Sequence, residues 1–215
     1  MRFKRFFMES KKIEDIRQHL IDRGMDPDRL GVVYDEKTSI ATFFIYNLNG
    51  QIVGYQQYNP NAPKTVHQRG DKIDKMAMKY YTYLSGHKKT KDKVIGVWGL
   101  DTYLWEYPLL FLTEGIFDAV KLQNSGVPAI AVLTNDIDKQ MTGWIRTLPQ
   151  KIVVIYDNDE AEMKDKKNSS GMKLIKTGDY AFTVPEPYKD VGDMPQKEVN
   201  AFVDNLLKRI GVDRP

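Results

Sequence analysis

The sequence predicts an α/β protein in two parts, a small basic α+β lobe over residues 1–107 and a second lobe over residues 108–215. The second lobe has a mainly parallel sheet flanked by helices, closed by a C-terminal helix. Three observations carry this. The 215 residues suffice for two small lobes with a real buried core. From residue 109 onward short apolar runs alternate with helix-like segments of about a dozen residues, the rhythm of βαβ units. Ahead of them stands an isolated hairpin signal, Asn49-Gly50 between two β-rich runs.

In order along the chain, "SKKIEDIRQHLIDRGMDPDRL" sets Ile13, Ile16 and Leu20 at helical spacing, with Ser10 as a cap and Gly24 as a stop. "SIATFFIYNLNGQIVGYQQYNP" reads as the hairpin that opens a small antiparallel sheet. Residues 60–95 are polar, basic and poorly periodic around "MKYYTYLSG", and read as a partly loop-like surface. Beyond them "LLFLTEG", "VPAIAVLTND", "KIVVIYDND" and "DYAFTVPEP" are the strands, separated by the helix-like "IFDAVKLQNSG" and "DKQMTGWIRTLP" and by a polar helical stretch.

Composition narrows the function classes. Cysteine is absent, so disulfides and cysteine-ligated zinc are excluded, and three histidines do not replace the thiolates. No apolar run approaches the roughly 20 residues that span a bilayer, which points to a cytoplasmic protein with no membrane partner. Residues 1–108 hold 18 Lys/Arg against 13 Asp/Glu, whereas residues 109–215 hold 14 against 16. Most of the excess lies in 61–95, with nine cations and three acids, either the footprint of a phosphate backbone or a solvated loop face.

Carboxylates sit where the strands of the second lobe end. "LLFLTEG" delivers Glu114, "KIVVIYDND" delivers Asp157 and Asp159, and the chain after "YAFTV" delivers Asp190 and Asp193 in "YKDVGD". In open parallel sheets functional groups collect at the carboxyl ends of strands. Acids packed together repel unless a cation compensates, so the cluster points to a hard divalent ion, Mg²⁺ or Mn²⁺, and to phosphoryl transfer. Each acid alone is equally a helix cap or a loop residue, and Asp118, one turn after Glu114, equally favours a helix N-terminus.

The succession "TEGIFDAV", "IAVLTND", "VVIYDNDEA" and "KDVGD" resembles the TOPRIM domain of topoisomerases, primases and related nucleases. Upstream, "HLIDRGMDPDRLGVVY", "YNLNGQIVGYQQ", "MKYYTYLSG" and "KDKVIGVWGLDTY" resemble the small basic lobe of bacterial and phage DnaG-type primase cores, so the likeness covers about residues 10 to 205. It implies metal ligands at Glu114, Asp157, Asp159 and Asp190, with Glu114 also a general acid or base and Asp118 and Asp193 as supporting acids. It implies nucleotide or template contacts at Lys79 and Lys93, joined by Arg69 in the cleft and by Tyr81 or its neighbours Tyr80 and Tyr83 as stacking rings, although tyrosines in such a run also serve as core. The Asp-x-Asp segment continues with Ala161-Glu162 where primases have Ala-Gly, and the cysteine-rich zinc module of many primases has no counterpart here.

The resemblance implies a DNA-directed RNA polymerase core that joins ribonucleotides on single-stranded DNA with two Mg²⁺ or Mn²⁺ ions and no zinc. Its partners would be the template, NTPs, and a replicative helicase or a separate zinc-bearing template reader, in a bacterial or phage-infected cell. A TOPRIM nuclease with water as nucleophile uses the same acids. A silent nucleic-acid-binding accessory protein of replication or recombination would carry them without productive metal.

Overall fold

A computed structural model describes residues 12–64, 77–85, 94–100, 106–134, 137–158 and 171–215. Ser10, Arg69, Lys93 and Asp159 lie outside the described residues.

The first helix, α1 (Ile16–Asp22), buries Ile16 and Leu20, and is capped by Asp15, whose carboxylate accepts from the Gln18 amide. Ile13 precedes the helix, so the start falls later than the apolar spacing suggests. Gly24 ends it with φ of 80°, a conformation that costs glycine nothing.

Four antiparallel strands follow in the order β1 (Val33–Asp35), β2 (Ile40–Tyr46), β3 (Ile52–Tyr58) and β4 (Tyr80–Leu84). The β2–β3 hairpin turns where Asn49-Gly50 signals it, through a loop in which the Asn47 side-chain oxygen accepts from the amides of Asn49 and Gln51. β4 corrects the reading of "MKYYTYLSG" as loop-like surface. Its tyrosines and threonine suit a pleated strand, and it pairs with β3 in the register Tyr58↔Tyr80, Gln56↔Thr82, Gly54↔Leu84.

The second sheet is wholly parallel, ordered β6-β5-β7-β8 from β5 (Leu109–Thr113), β6 (Ala129–Ala131), β7 (Lys151–Tyr156) and β8 (Tyr180–Thr183). Between them lie α2 (Ile116–Asn124), α3 (Lys139–Ile145) and α4 (Gly171–Ile175). A 3₁₀ turn (Val191–Asp193) and α5 (Gln196–Ile210) complete the lobe. Every residue of β5 is buried, because both faces are covered. Leu109, Phe111, Val153 and Ile155 face one core, and Leu110, Leu112, Ile152 and Val154 face the other.

The first of these cores also takes in Phe43 and Tyr58 of the antiparallel sheet. Phe117 of α2 fills the space between the sheets, edge-on to Phe43 at 6.1 Å and to Tyr58 at 5.0 Å. Such aromatic pairs add about 0.5–1.5 kcal/mol each beyond area burial. Residues 97 and 98 join the sheets a second time, Val97 bridging to Tyr46 and Trp98 to Ala131. The carboxyl ends of the parallel strands thereby face the antiparallel sheet across α2.

Candidate active site

Strand order decides what meets. β5, β7 and β8 are neighbours and parallel, so the residues just past their ends emerge on one edge. Glu114 follows β5, Asp157 follows β7, and the chain beyond β8 reaches Asp190. The Asn158 amide donates to the Lys189 carbonyl at 2.7 Å, fastening the exit of β7 to the segment that carries Asp190. Glu114, Asp118, Asp157 and Asp190 line one cleft of about 200 Å³, together with Arg23, Gln56, Lys64, Tyr80 and Leu133.

Asp118 is the hub of the acids. Its Oδ1 accepts from the Gly192 amide at 2.7 Å, and the Asp190 side chain caps the same turn by accepting from Asp193 N at 2.9 Å. Glycine fits closely there: a Cβ at residue 192 would stand 3.3 Å from oxygens of both Asp118 and Asp190 and 3.2 Å from Arg23 Nη2, so these side chains would have to give way by a few tenths of an ångström. Gly115 is tighter still, since a Cβ would meet Asp118 Oδ2 at 2.5 Å. Burial, reinforced by the charges of Asp190 and Asp157, pushes the Asp118 carboxyl up to about 8. Burial and then Asp193 raise Asp190 as well, against the pull of its own hydrogen bond from Asp193 N.

The opposite wall is cationic. α1 ends just before Arg23, the turn at Gly24 is held by the Asn124 side-chain amide donating to the Gly24 carbonyl at 2.6 Å, and the guanidinium lies 3.8 Å over the Phe117 ring. Burial works to lower its pKa, but the neighbouring phenols of Tyr58 and Tyr80 more than offset this and keep it raised. Lys79 is lowered by burial and by repulsion from Arg23 and Lys64, while Asp193 opposes. Burial raises Tyr80 to about 12. The acids that follow the parallel strands thus share the cleft with Arg23 and Lys64, and Lys79 stands near this pair and Asp193.

Glu114, Asp118, Asp157 and Asp190 are brought together; Asp193 sits exposed just beyond, near Lys79. Tyr81 is placed elsewhere: it pairs with Gln57 and packs against Tyr55 at 6.2 Å, on the face of β4 opposite Tyr80. Tyr80 is the strand's ring in the cleft. Sequence reasoning passed over Arg23, Lys64, Gln56 and Leu133. Gln56 left a signal, since alternation along β3 places a carboxamide on the face of Tyr58. Leu133, held at φ 63° with its amide donating to the Glu114 carbonyl at 2.9 Å, left none.

The donors facing the cleft's acidic side are carboxylate oxygens, the set that suits Mg²⁺ or Mn²⁺. The raised carboxyls of Asp118 and Asp190 mark a surplus of negative potential that a divalent ion would relieve. Among the described residues no three acidic or histidine side chains converge closely enough to cage an ion by themselves. Mg²⁺ commonly keeps waters and shares substrate phosphates, so an ion bound here would draw its further ligands from those.

The chain superposes on the catalytic core of DnaG with a TM-score of 0.62 at 15% identity, covering 90% of this chain and 72% of that one. The fold is that of a DNA primase catalytic core. The primase fragment of the bacteriophage T7 primase-helicase superposes with a TM-score of 0.54 at 15% identity, covering 89% of this chain and 72% of that one. A DnaG primase catalytic domain bound to ssDNA gives 0.53 at 18% identity, covering 90% and 60%. In sequence, the chain is 31% identical over 108 residues to the DNA primase of Thermotoga maritima, 48% of this chain and 18% of that protein. It is 25% identical over 171 residues to the DNA primase of Campylobacter jejuni, 77% of this chain and 26% of that protein. The chain therefore spans about a fifth to a quarter of these relatives. No family model matches it.

Proposed function

We propose that this chain is the polymerising core of a DNA primase, joining ribonucleotides on a single-stranded DNA template. The observation that carries the reading is the cleft itself, in which acids carried past the ends of three neighbouring parallel strands share one lining with Arg23 and Lys64, with Lys79 close by. The fold likeness and the sequence likeness to primases support it. In the reaction a primer 3′-oxygen attacks the α-phosphorus of an NTP, the bond to the β-phosphate oxygen breaks, and pyrophosphate leaves.

Glu114, Asp157 and Asp190 would hold Mg²⁺ or Mn²⁺, with Asp159 completing the set. A metal held by these carboxylates would lower the pKa of the attacking hydroxyl and offset charge on the leaving pyrophosphate. Glu114, beside the bound metal, would accept the proton of the hydroxyl. Asp118 fastens the turn that presents Asp190 through its bond from Gly192 N, and so orients one wall of the site. Arg23, Lys64 and Lys79 would bind the triphosphate and the template backbone, and the Tyr80 ring would stack a base, a contact worth about 1–3 kcal/mol.

Incorporation of labelled NTPs on single-stranded DNA tests this. Wild-type chain with Mg²⁺ or Mn²⁺ should extend product. Glu114→Ala and Asp157→Ala should each lower the rate at least a thousandfold while remaining folded. Synthesis at the wild-type rate by both variants would remove the metal assignment, and strand cleavage without NTPs would instead favour a nuclease.

A further inference from the structure

The phenol of Tyr58, 1% exposed, is where α1, α2 and the approach to β4 meet β3. Its hydroxyl lies 2.8 Å from His19 Nε2 of α1, its ring takes Phe117 of α2 edge-on at 5.0 Å, and Lys79 Nζ stands 5.9 Å from the centre of the same ring. Arg23, which closes α1 one turn after His19, is hydrogen-bonded to the phenols of Tyr58 and Tyr80. The lining of the cleft includes Arg23 and Tyr80 but, among the described residues, neither Tyr58 nor His19.

Hydrogen-bond chemistry fixes the direction of this chain of contacts. A guanidinium only donates, so toward Arg23 the Tyr58 oxygen accepts. Its single proton then goes to His19, whose Nε2 accepts, and the imidazole is neutral with its own proton on Nδ1. Burial first, then the charges of Arg23 and Lys79, lower the pKa of His19 and outweigh the opposing pull of Asp22, which agrees with a neutral ring. A phenol that gives its proton to a good acceptor is itself a better acceptor for the guanidinium. An aliphatic residue in place of His19 would leave the buried hydroxyl proton without that acceptor.

We propose that His19 is a positioning residue of the site: through the Tyr58 hydroxyl it holds the Arg23 guanidinium in place for the triphosphate. The inference rests on the nucleotidyl-transfer reading and adds a residue that acts on the cleft from outside its lining. A protonated imidazole only donates, so Tyr58 would lose the acceptor for its proton and a second cation would stand one turn from Arg23. The hold on Arg23 is complete while His19 is neutral and weakens as pH falls through its pKa, which lies below the ordinary 6.5.

Calorimetric titration of the whole chain with inorganic tripolyphosphate and Mg²⁺, at pH 8 and at pH 5, tests it. At pH 8 His19→Leu should bind about fivefold more weakly than the wild type, the worth of one hydrogen bond, whereas His19→Gln, whose carboxamide oxygen can accept from Tyr58, should stay within about twofold. Tyr58→Phe should lose about as much as His19→Leu, and the double variant no more than either. Between pH 8 and pH 5 the wild type should lose about threefold more affinity than His19→Gln, which has no titrating ring, and this comparison holds even where His19→Leu fails to fold. Wild-type affinity in His19→Leu, losses that add in full in the double variant, or a ratio of wild type to His19→Gln that is the same at both pH values would overturn the proposal. So would a wild type that gains on His19→Gln at pH 5, the result of added positive charge alone. Each of these leaves nucleotidyl transfer standing, whereas failure of the wild type to bind tripolyphosphate at pH 8 would overturn both.

Discussion

Asp118 shows how one side chain couples the cleft to its solution conditions. Its carboxyl stands at about 8 against an ordinary 3.8, first because it is buried and then because Asp190 and Asp157 are near. The folded chain therefore holds a proton that the unfolded chain releases, so the stabilising contribution is complete below about pH 4 and disappears as pH rises toward 8. In EDTA, thermal unfolding should show a melting temperature that falls from pH 5 to pH 8 in the wild type, with a flatter profile in Asp118→Asn, whose amide oxygen can still accept from Gly192 N. Added Mg²⁺ should raise the wild-type midpoint more at pH 8 than at pH 5. Parallel pH profiles for the two proteins without metal would contradict this assignment.

At the scale of elements, the 3₁₀ turn over Val191–Asp193 is a closely fitted piece of the site: the Gly192 amide donates to Asp118, the Asp193 amide donates to Asp190, and Arg23, Asp118 and Asp190 all stand close to where a Cβ of residue 192 would lie. Gly192→Ala places a methyl 3.2–3.3 Å from all three, closer than nine in ten real contacts of that kind. Catalytic rate should drop at least tenfold while the melting temperature moves by only a few degrees, as assays of activity and unfolding on the same preparation would show. A variant with normal rate would mean that the turn's geometry is not needed. The strands of the parallel sheet were legible because runs such as "KIVVIYDND" are apolar along their whole length and end abruptly in acid, the signature of a strand buried on both faces. β4 was not, because its tyrosines alternate between the cleft and the outer face, and a run that is polar on one side looks like surface until its partner strand is known. Arg23 was hidden for a different reason. A cation at the end of a helix normally caps that helix, and only tertiary packing lays this one over Phe117 and beside the acids of the other lobe.

Across the whole molecule, the charge difference between the two halves of the sequence is brought face to face at the cleft. The chain's formal net charge is only +3, yet the cleft sets cations of the antiparallel lobe against acids at the carboxyl ends of the parallel strands. A single strand laid along Arg23, Lys64 and Lys79 would displace counterions at about three phosphates. Its affinity should then fall roughly 20-fold between 50 and 200 mM salt, by fluorescence anisotropy of a labelled oligonucleotide. No change over that range would leave the cationic wall without its proposed role. One shared core behind both walls, with Phe117 between the sheets, fixes the distance across which substrate, metal and template would have to meet. The most direct test of that arrangement is the binding of Mn²⁺ itself, counted by paramagnetic resonance of the free ion at neutral pH. The wild type should take up Mn²⁺, and Glu114→Gln and Asp157→Asn should each lose at least one site. Uptake by both variants indistinguishable from the wild type would contradict the claim that these carboxylates hold the metal.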